Sequence, residues 1–366
     1  MIHYLLFTSI FTWIFIFFSG NKLIQVPILL ENWAWDKTSQ QQGLSPDNRN
    51  FENQLKSSEK SINGYLTSRK RPFIFQSKKE FLIEEDEFFE IPFFGKGFIS
   101  YKKIGDKITY YSQDGEILWK KPSKSYPYST WHGKINFLIS GDGNQVLFID
   151  RNGNPTGIEQ ADGSFLTDIA QTSTMGSLLL FSGGEVYRID SNAELIFKKS
   201  EKDRDNFYFY KSASISENGN LTALHYIKNN EDFISVLDRS GNTLKTYPLD
   251  KVYPHKIFIA IGNDGSLVLN LKDKILLSNS KGELVYHTEK SKSGDVYQLA
   301  FSNGTIFVVQ NENKLLFLNS KGEVLKQKSV GNNHYRIIPS NNPGNFFLES
   351  DLSIISFVFL NNEILP

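Results

Sequence analysis

Any chemistry would have to come from six histidines and forty carboxylates, because the 366-residue chain contains no cysteine. A thiol nucleophile, a thiolate-bound metal, a disulfide and lipid attachment through an N-terminal cysteine are all excluded. The histidines are His3, His132, His225, His255, His287 and His334, and none form an HxH, HxxxH or HExxH pair. A zinc site needs three or four convergent ligands, so no metal is expected. Residues 83–90, IEEDEFFE, concentrate acid, but one strand or turn cannot wrap a cation in oxygens, and solvated surface is the better account. There is no GxSxG elbow and no Walker loop. The glycine-rich SGDGNQ at 140–145 joins two strands, which makes it a hairpin turn and not a phosphate cradle. No catalytic residue and no cofactor is expected. Whether the chain is an enzyme stays open, with a negative answer favoured.

Rings are the richer resource. The chain holds 30 Phe and 16 Tyr, and they recur in short segments: Tyr126, Tyr128 and Trp131 with His132; Phe165; Phe207, Tyr208 and Tyr210; Tyr253 and His255; Tyr297; His334 and Tyr335. Rigid amphipathic rings are the usual anchors of protein interfaces. The candidate partner-binding residues are therefore Tyr126, Tyr128, Trp131, His132, Phe207, Tyr208, Tyr210, Tyr253, His255, Tyr297 and Tyr335. The alternative for each is an aromatic that starts a strand and packs in the core.

The elements that hold these segments follow from a repeat. LLFLNSKGEVLKQK (315–328) reads as two strands joined by a tight polar turn. Its relatives begin at Ile108, Val146, Val186, Ile234 and Ile275, with a degenerate copy at 357–365. Their turn positions are Gly115, Gly153, Ala193, Gly241, Gly282, Gly322 and Asn362, spaced 38, 40, 48, 41, 40 and 40 residues apart. A loop of this length places one residue at positive φ, which glycine takes without penalty; Ala193 departs from that pattern, and its turn could differ. Two further strands precede each hairpin. Four short strands per forty residues is the pattern of a β-propeller blade. The expected fold is all-β, a seven-bladed propeller of four-stranded blades over 88–366, preceded by an N-terminal apolar helix and a polar linker. The 48-residue spacing marks a surface insertion at 200–212, and such insertions often carry function.

The form apolar strand, Asp-x-x-Gly, x-Leu-x-Trp, clearest in SQDGEILWKK (112–121), resembles the repeat of the quinoprotein-like (PQQ-type) propellers. That superfamily includes redox enzymes and non-enzymatic outer-membrane assembly propellers. One copy keeps the tryptophan, Trp119; others carry Phe197, Tyr286 or Leu325 nearby. The adjacent cysteine pair of some quinoprotein dehydrogenases is absent, and no calcium constellation is visible. The resemblance implies the fold and the non-enzymatic branch, and it transfers no catalytic residue. The Gly-His and Trp-Asp pairs of WD repeats are missing as a periodic set.

The ends of the chain concern location. Residues 4–18, YLLFTSIFTWIFIFF, carry no charge, and LIQVPILL (23–30) continues the apolar character. Fifteen residues suit a signal peptide, but large residues before Ser19 argue against cleavage. Residues 1–30 are expected to be a signal-anchor or signal peptide, with membrane contact through 4–30. Lys22 favours a cytoplasmic propeller on the positive-inside rule. Apolar N-termini of this kind usually export the rest of the chain, so the expected location is an anchored propeller in the periplasm or outside the cell. Residues 31–87 read as a polar linker, within which 72–85 is strand-like; it could pair with the last blade to close the ring or form an irregular lid. TSRKRP (67–72) is a small basic cluster on that linker. The formal net charge is zero, which offers nucleic acid no global attraction. The functional expectation is a membrane-tethered platform for protein partners in the cell envelope. Its alternative is a quinoprotein-like enzyme or small-ligand binder using the channel mouth.

Overall fold

The computed structural model describes residues 27–37, 62–67, 70–77, 79–82, 86–172, 176–200, 207–290, 294–299, 305–330, 335–340, 342 and 344–360. Within each repeat, four short apolar runs separated by polar turns fold as antiparallel neighbours in sequence order. Blade 1 comprises Glu87–Glu90, Phe98–Lys102, Lys107–Tyr111 and Ile117–Pro122, from the channel outward. Blades 2 to 6 repeat this over 126–162, 166–200, 208–248, 258–289 and 296–329. Blade 7 takes Arg336–Pro339, Asn345–Glu349 and Ser353–Leu360 from the end of the chain. Its outer strand comes from the other terminus: Ile28–Asp36 pairs antiparallel with Ser353–Leu360, Ile28 opposite Leu360. The end of the ring where the innermost strands begin is termed end A, and the opposite end, which carries the repeat's hairpin turns, end B.

The turns explain the repeat. In blade 2 the Gly153 N–H donates to the Asp150 carbonyl at 3.0 Å, Asp150 Oδ1 accepts the Asn154 N–H at 2.8 Å, and Gly153 has φ 79°. The ladder shifts just beyond, by three residues in blade 2 (Leu147 faces Gln160, Ile149 faces Pro155) and by one in blades 1 and 3 to 6, where the slip is that of a bulge built on a left-handed residue. Ala193 makes the same turn at φ 64°, with Asp190 Oδ1 accepting from Asn192 and Glu194, so its turn does not differ.

The reason for alanine there lies in how blades meet. An aromatic on one blade's outer strand covers the turn glycine of the next: Trp119 on Gly153, Phe197 on Gly241 and Tyr247 on Gly282, while Gly322 lies against the Val285 carbonyl and the Tyr286 Cβ. Trp119 Nε1 also donates to the Arg151 carbonyl at 2.8 Å. Between blades 2 and 3 the pair is inverted. Gly157 stands at the aromatic position and Ala193 at the glycine position, and a Cβ on Gly157 would fall 2.2 Å from the Ala193 carbonyl oxygen. The core is divided in the same way, into layers between successive blades.

The count of blades corrects the expectation of seven. An eighth sheet of three strands, Gly64–Leu66, Pro72–Ile74 and Lys79–Glu80, fills the gap between blades 7 and 1. On one side Trp33 and Trp35 of the closing strand pack on Tyr65, Phe73 and Phe75. On the other, Phe81 covers Gly115 of blade 1 as Trp119 covers Gly153. Residues 72–74 and 79–80 therefore belong to a blade of their own and do not pair with blade 7. The repeat count missed this blade because its strands are two or three residues long and its turn has no glycine. The expected apolar helix is also corrected: there is no helix among the described residues, and residues 28–30 are strand. No described helix is long and apolar enough to cross a membrane. The apolar residues 4–18, linker residues 38–61, the insertion's residues 201–206, His334 and the Asn362 turn lie outside the described residues.

Candidate functional site

Each of the seven four-stranded blades contributes to a cavity of about 450 Å³ along the ring axis. Inner strands of adjacent blades splay apart and do not form a ladder, so backbone N–H groups facing the channel need other acceptors. Polar side chains supply them. Glu90 Oε1 accepts from Ser129 N–H at 3.1 Å, Asp168 Oδ2 from Ala213 N–H at 2.9 Å, and Asp295 Oδ2 from Ile337 N–H at 2.8 Å. Gln171 Oε1 takes the Trp131 N–H at 2.9 Å. These groups staple blades 1 to 2, 3 to 4, 6 to 7 and 3 to 2.

The electrostatics follow from that placement. Burial pushes the Glu90 carboxyl up to about 7, opposed by the Ser129 N–H and by Arg336. Burial likewise pushes the Tyr128 hydroxyl up to about 12. Lys256 Nζ sits 3.2 Å from Asp168 Oδ1, and the Arg336 guanidinium lies 4.7 Å from the centre of the Phe93 ring. Trp131 reaches from blade 2 across the channel, its ring 6.1 Å from Tyr297 of blade 6 and 6.4 Å from Phe93. The Tyr297 hydroxyl donates to Glu217 Oε1. A side cavity of about 270 Å³ next to the eighth blade shares Phe93, Tyr128, Trp131 and Arg336 with the channel. The channel thus offers ring faces and a stacked guanidinium, while three of its carboxylates are engaged in holding the blades together.

One buried cluster has the composition of a hydrolytic triad. Ser212 Oγ lies 3.4 Å from His225 Nδ1, and His225 Nε2 lies 3.3 Å from Asp232 Oδ2. The same carboxylate also receives Lys211 Nζ at 2.8 Å and the Tyr253 N–H at 2.6 Å, and His225 is wholly buried. Burial outweighs Asp232 and holds the imidazole below its ordinary range. No substrate reaches His225, so the cluster is a tie between blade 4 and the segment leading into blade 5.

The eleven sequence-derived candidates do not form one rim. Tyr128, Trp131 and Tyr297 meet in the channel. Tyr126 opens its strand at end A, its hydroxyl donating to the Lys103 carbonyl, whereas Trp131 and His132 lie past the other end of that strand. His132 stands 5.6 Å from the Phe94 ring. Tyr210 stacks on Tyr226 in blade 4, and Tyr208 packs against the same ring at a tilt. Tyr253 and Tyr335 are buried, and His255 is exposed on the segment before blade 5. Phe207 is the exposed one of the blade 4 group, joined by Phe209, which was not among the candidates. Also missed were Glu90, Asp168, Asp295, Gln171 and Arg336. Their signal was a polar side chain breaking an otherwise apolar inner strand, as in LTDIAQ (166–171).

Comparison with solved structures agrees on the architecture. BamB from Moraxella catarrhalis superposes with a TM-score of 0.51 at 12% identity, over 76% of this chain and 85% of that one. The computationally designed protein Ika8 gives 0.53 at 13% identity, over 79% and 87%. The fold is a β-propeller. At these identities the likeness extends to the fold alone. No family model matches the sequence, and no curated protein matches it significantly.

Proposed function

We propose that this chain is a membrane-tethered propeller of the cell envelope that serves as a docking platform for a protein partner at end A. The observation that carries the reading is the projection of blade 4. Its inner strand Tyr208–Ile215 has eight residues, against four to six in the other four-stranded blades, and its hairpin runs out to Asn229 and Asn230, both at positive φ. On this projection Phe207 and Phe209 are 64% and 39% exposed, while Tyr208 and Tyr210 between them face inward onto Tyr226. Phe165, 56% exposed, belongs to the same array, because Ser182 N–H donates to its carbonyl and the Ser182 carbonyl accepts from Tyr210. Exposed phenylalanines gathered on a projecting edge are the kind of surface that a partner covers. The uncharged stretch 4–18 supports the tether, and the BamB-like fold is consistent with a binding role.

The test is purification of the full-length protein in mild detergent with quantitative mass spectrometry. A stoichiometric partner lost from Phe207→Ala/Phe209→Ala, and retained by Ile104→Ala on blade 1, is the expected result. Retention by the double variant refutes this docking face. A small-ligand role for the channel is the second reading, favoured by the cavity and by Arg336 stacked on Phe93. A small molecule copurifying without a protein partner would put it first.

A further inference from the structure

Resting on the tether proposed above, we infer that end B of the ring lies against the bilayer, so that the phenylalanines at end A face away from it. Two independent observations lead there. The first is where the chain enters the fold. The closing strand runs from Ile28 at end B to Asp36 at end A, because Ile28 pairs with Leu360, the last residue of the strand it joins. The apolar run that begins at Tyr4 ends at Phe18, and no conformation of the ten residues from there to Ile28 spans more than about 36 Å. The nine-residue strand is itself about 30 Å long. With end A on the bilayer, the chain would have to run the full height of the blade before reaching lipid, leaving about 6 Å of slack. With end B on the bilayer there is no such demand.

The second observation is a pattern on end B. The residue two positions past the turn opens the outer strand, and in four of the blades it is an exposed aliphatic side chain, Ile117, Leu195, Leu284 and Val324; in a fifth, blade 4, Thr243 opens the strand and the exposed Leu244 follows it. Ile28 opens the closing strand and is exposed as well. Three of the five sit opposite Tyr111, Ile189 and Ser278, the last residues of the neighbouring strands, so they ring the same end at one level. A belt of aliphatic side chains around one end, continuous with the chain's apolar entry point, fits the interfacial region of a bilayer.

The lack of any native cysteine makes the test direct. Single-cysteine variants of the full-length protein, Leu284→Cys and Leu195→Cys at end B and Ile104→Cys at end A, are labelled with an environment-sensitive fluorophore. They are then reconstituted into phosphatidylcholine vesicles with or without spin-labelled phosphatidylcholine. All three positions are exposed, Ile104 at 95% and Leu284 at 61%, so labelling leaves the core intact. We expect at least two-fold quenching at both end-B positions and none at Ile104. Quenching at Leu284 but not at Leu195, two blades away, means the ring stands on its edge and overturns the inference. Equal quenching everywhere, or quenching at Ile104 alone, in protein that floats with the vesicles overturns the orientation and leaves the tether standing. Protein that does not float overturns the tether and the orientation with it.

Discussion

Removing the Trp35 side chain should open the ring. Trp35 sits on the strand that joins one terminus of the chain to the other, 7% exposed, its ring 5.5 Å from those of Phe73 and Phe75. Its Nε1 donates to the Tyr65 hydroxyl at 2.5 Å. Truncating a buried aromatic to alanine costs about 3–5 kcal/mol in lost transfer and cavity terms. The Tyr65 hydroxyl, itself buried, would lose its partner at a further cost of about 1 kcal/mol. Trp35→Ala should therefore destabilise by about 4–6 kcal/mol, whereas Trp35→Phe, which keeps a ring and loses mainly the hydrogen bond, should cost about 1–2 kcal/mol. Trp131→Ala is the control, since Trp131 faces the channel and is only half-buried. Urea unfolding followed by circular dichroism gives the three free energies. Hydrogen exchange shows whether Asn345–Glu349 and Ser353–Leu360 lose protection first. A cost below about 1 kcal/mol for Trp35→Ala, or equal costs for the alanine and phenylalanine variants, refutes the closure described above.

Three further outcomes are expected. Glu90 holds its proton more tightly folded than unfolded, so its favourable contribution is complete below pH 4.5 and is lost as pH rises towards about 7. Glu90→Gln, which keeps the acceptor for Ser129, should match the parent at pH 4.5 and exceed it by up to about 3 kcal/mol at pH 8; parity at pH 8 in urea titrations counts against the burial argument. Gly153→Ala forces a left-handed alanine and puts a Cβ 3.0 Å from the Trp119 ring, costing at least about 1–2 kcal/mol. Ala193→Gly relieves a similar strain but loses a buried methyl worth about 0.8 kcal/mol, so its thermal midpoint should barely move; equal losses for the two variants would contradict the inverted junction. His225 is kept neutral by burial, so the unfolded chain takes up the proton and stability should fall as pH drops below 6.5. His225→Gln should flatten that slope, and an unchanged slope would show that the imidazole is not its source.

The sequence disclosed whatever a local period controls. Hairpin turns at Gly115, Gly153, Ala193, Gly241, Gly282 and Gly322, four strands in each of the first six repeats and the aromatic of SQDGEILWKK are each settled within some forty residues of chain, and these are in the structure. Contacts between distant parts were not legible. The pairing of Ile28–Asp36 with Ser353–Leu360 joins residues over three hundred apart, and ILLENWAWD resembles the end of an apolar segment until its two tryptophans are seen against Tyr65 and Phe75. Inner-strand aromatics were visible as a set, but their division was not. Residues 207–210 alternate between exposed phenylalanines and inward tyrosines only because blade 4 projects beyond its neighbours, and that projection depends on the partner strand ending at Lys228.

The eighth blade shows why a count of repeats could not close the ring. A repeat fixes the width and twist of one blade; the number of blades is set by the angle at which one outer strand meets the next blade's turn. That junction tolerates several pairs: Trp119 on Gly153, Tyr247 on Gly282, and the inverted Gly157 with Ala193. The described junctions between repeats join blades 1 to 6, and the position between blades 7 and 1 is filled with residues outside the repeat. Phe81 reproduces the aromatic half of the junction against Gly115, while Tyr65, Phe73 and Phe75 receive Trp33 and Trp35 in a packing of rings that no other described junction uses. The Phe81 seam therefore matches the common junction, and the seam at Trp33 and Trp35 does not. That second seam is made from the first hundred residues meeting the last thirty, and opening should begin there because, among the described junctions, only there do both flanking strands come from outside the repeating unit.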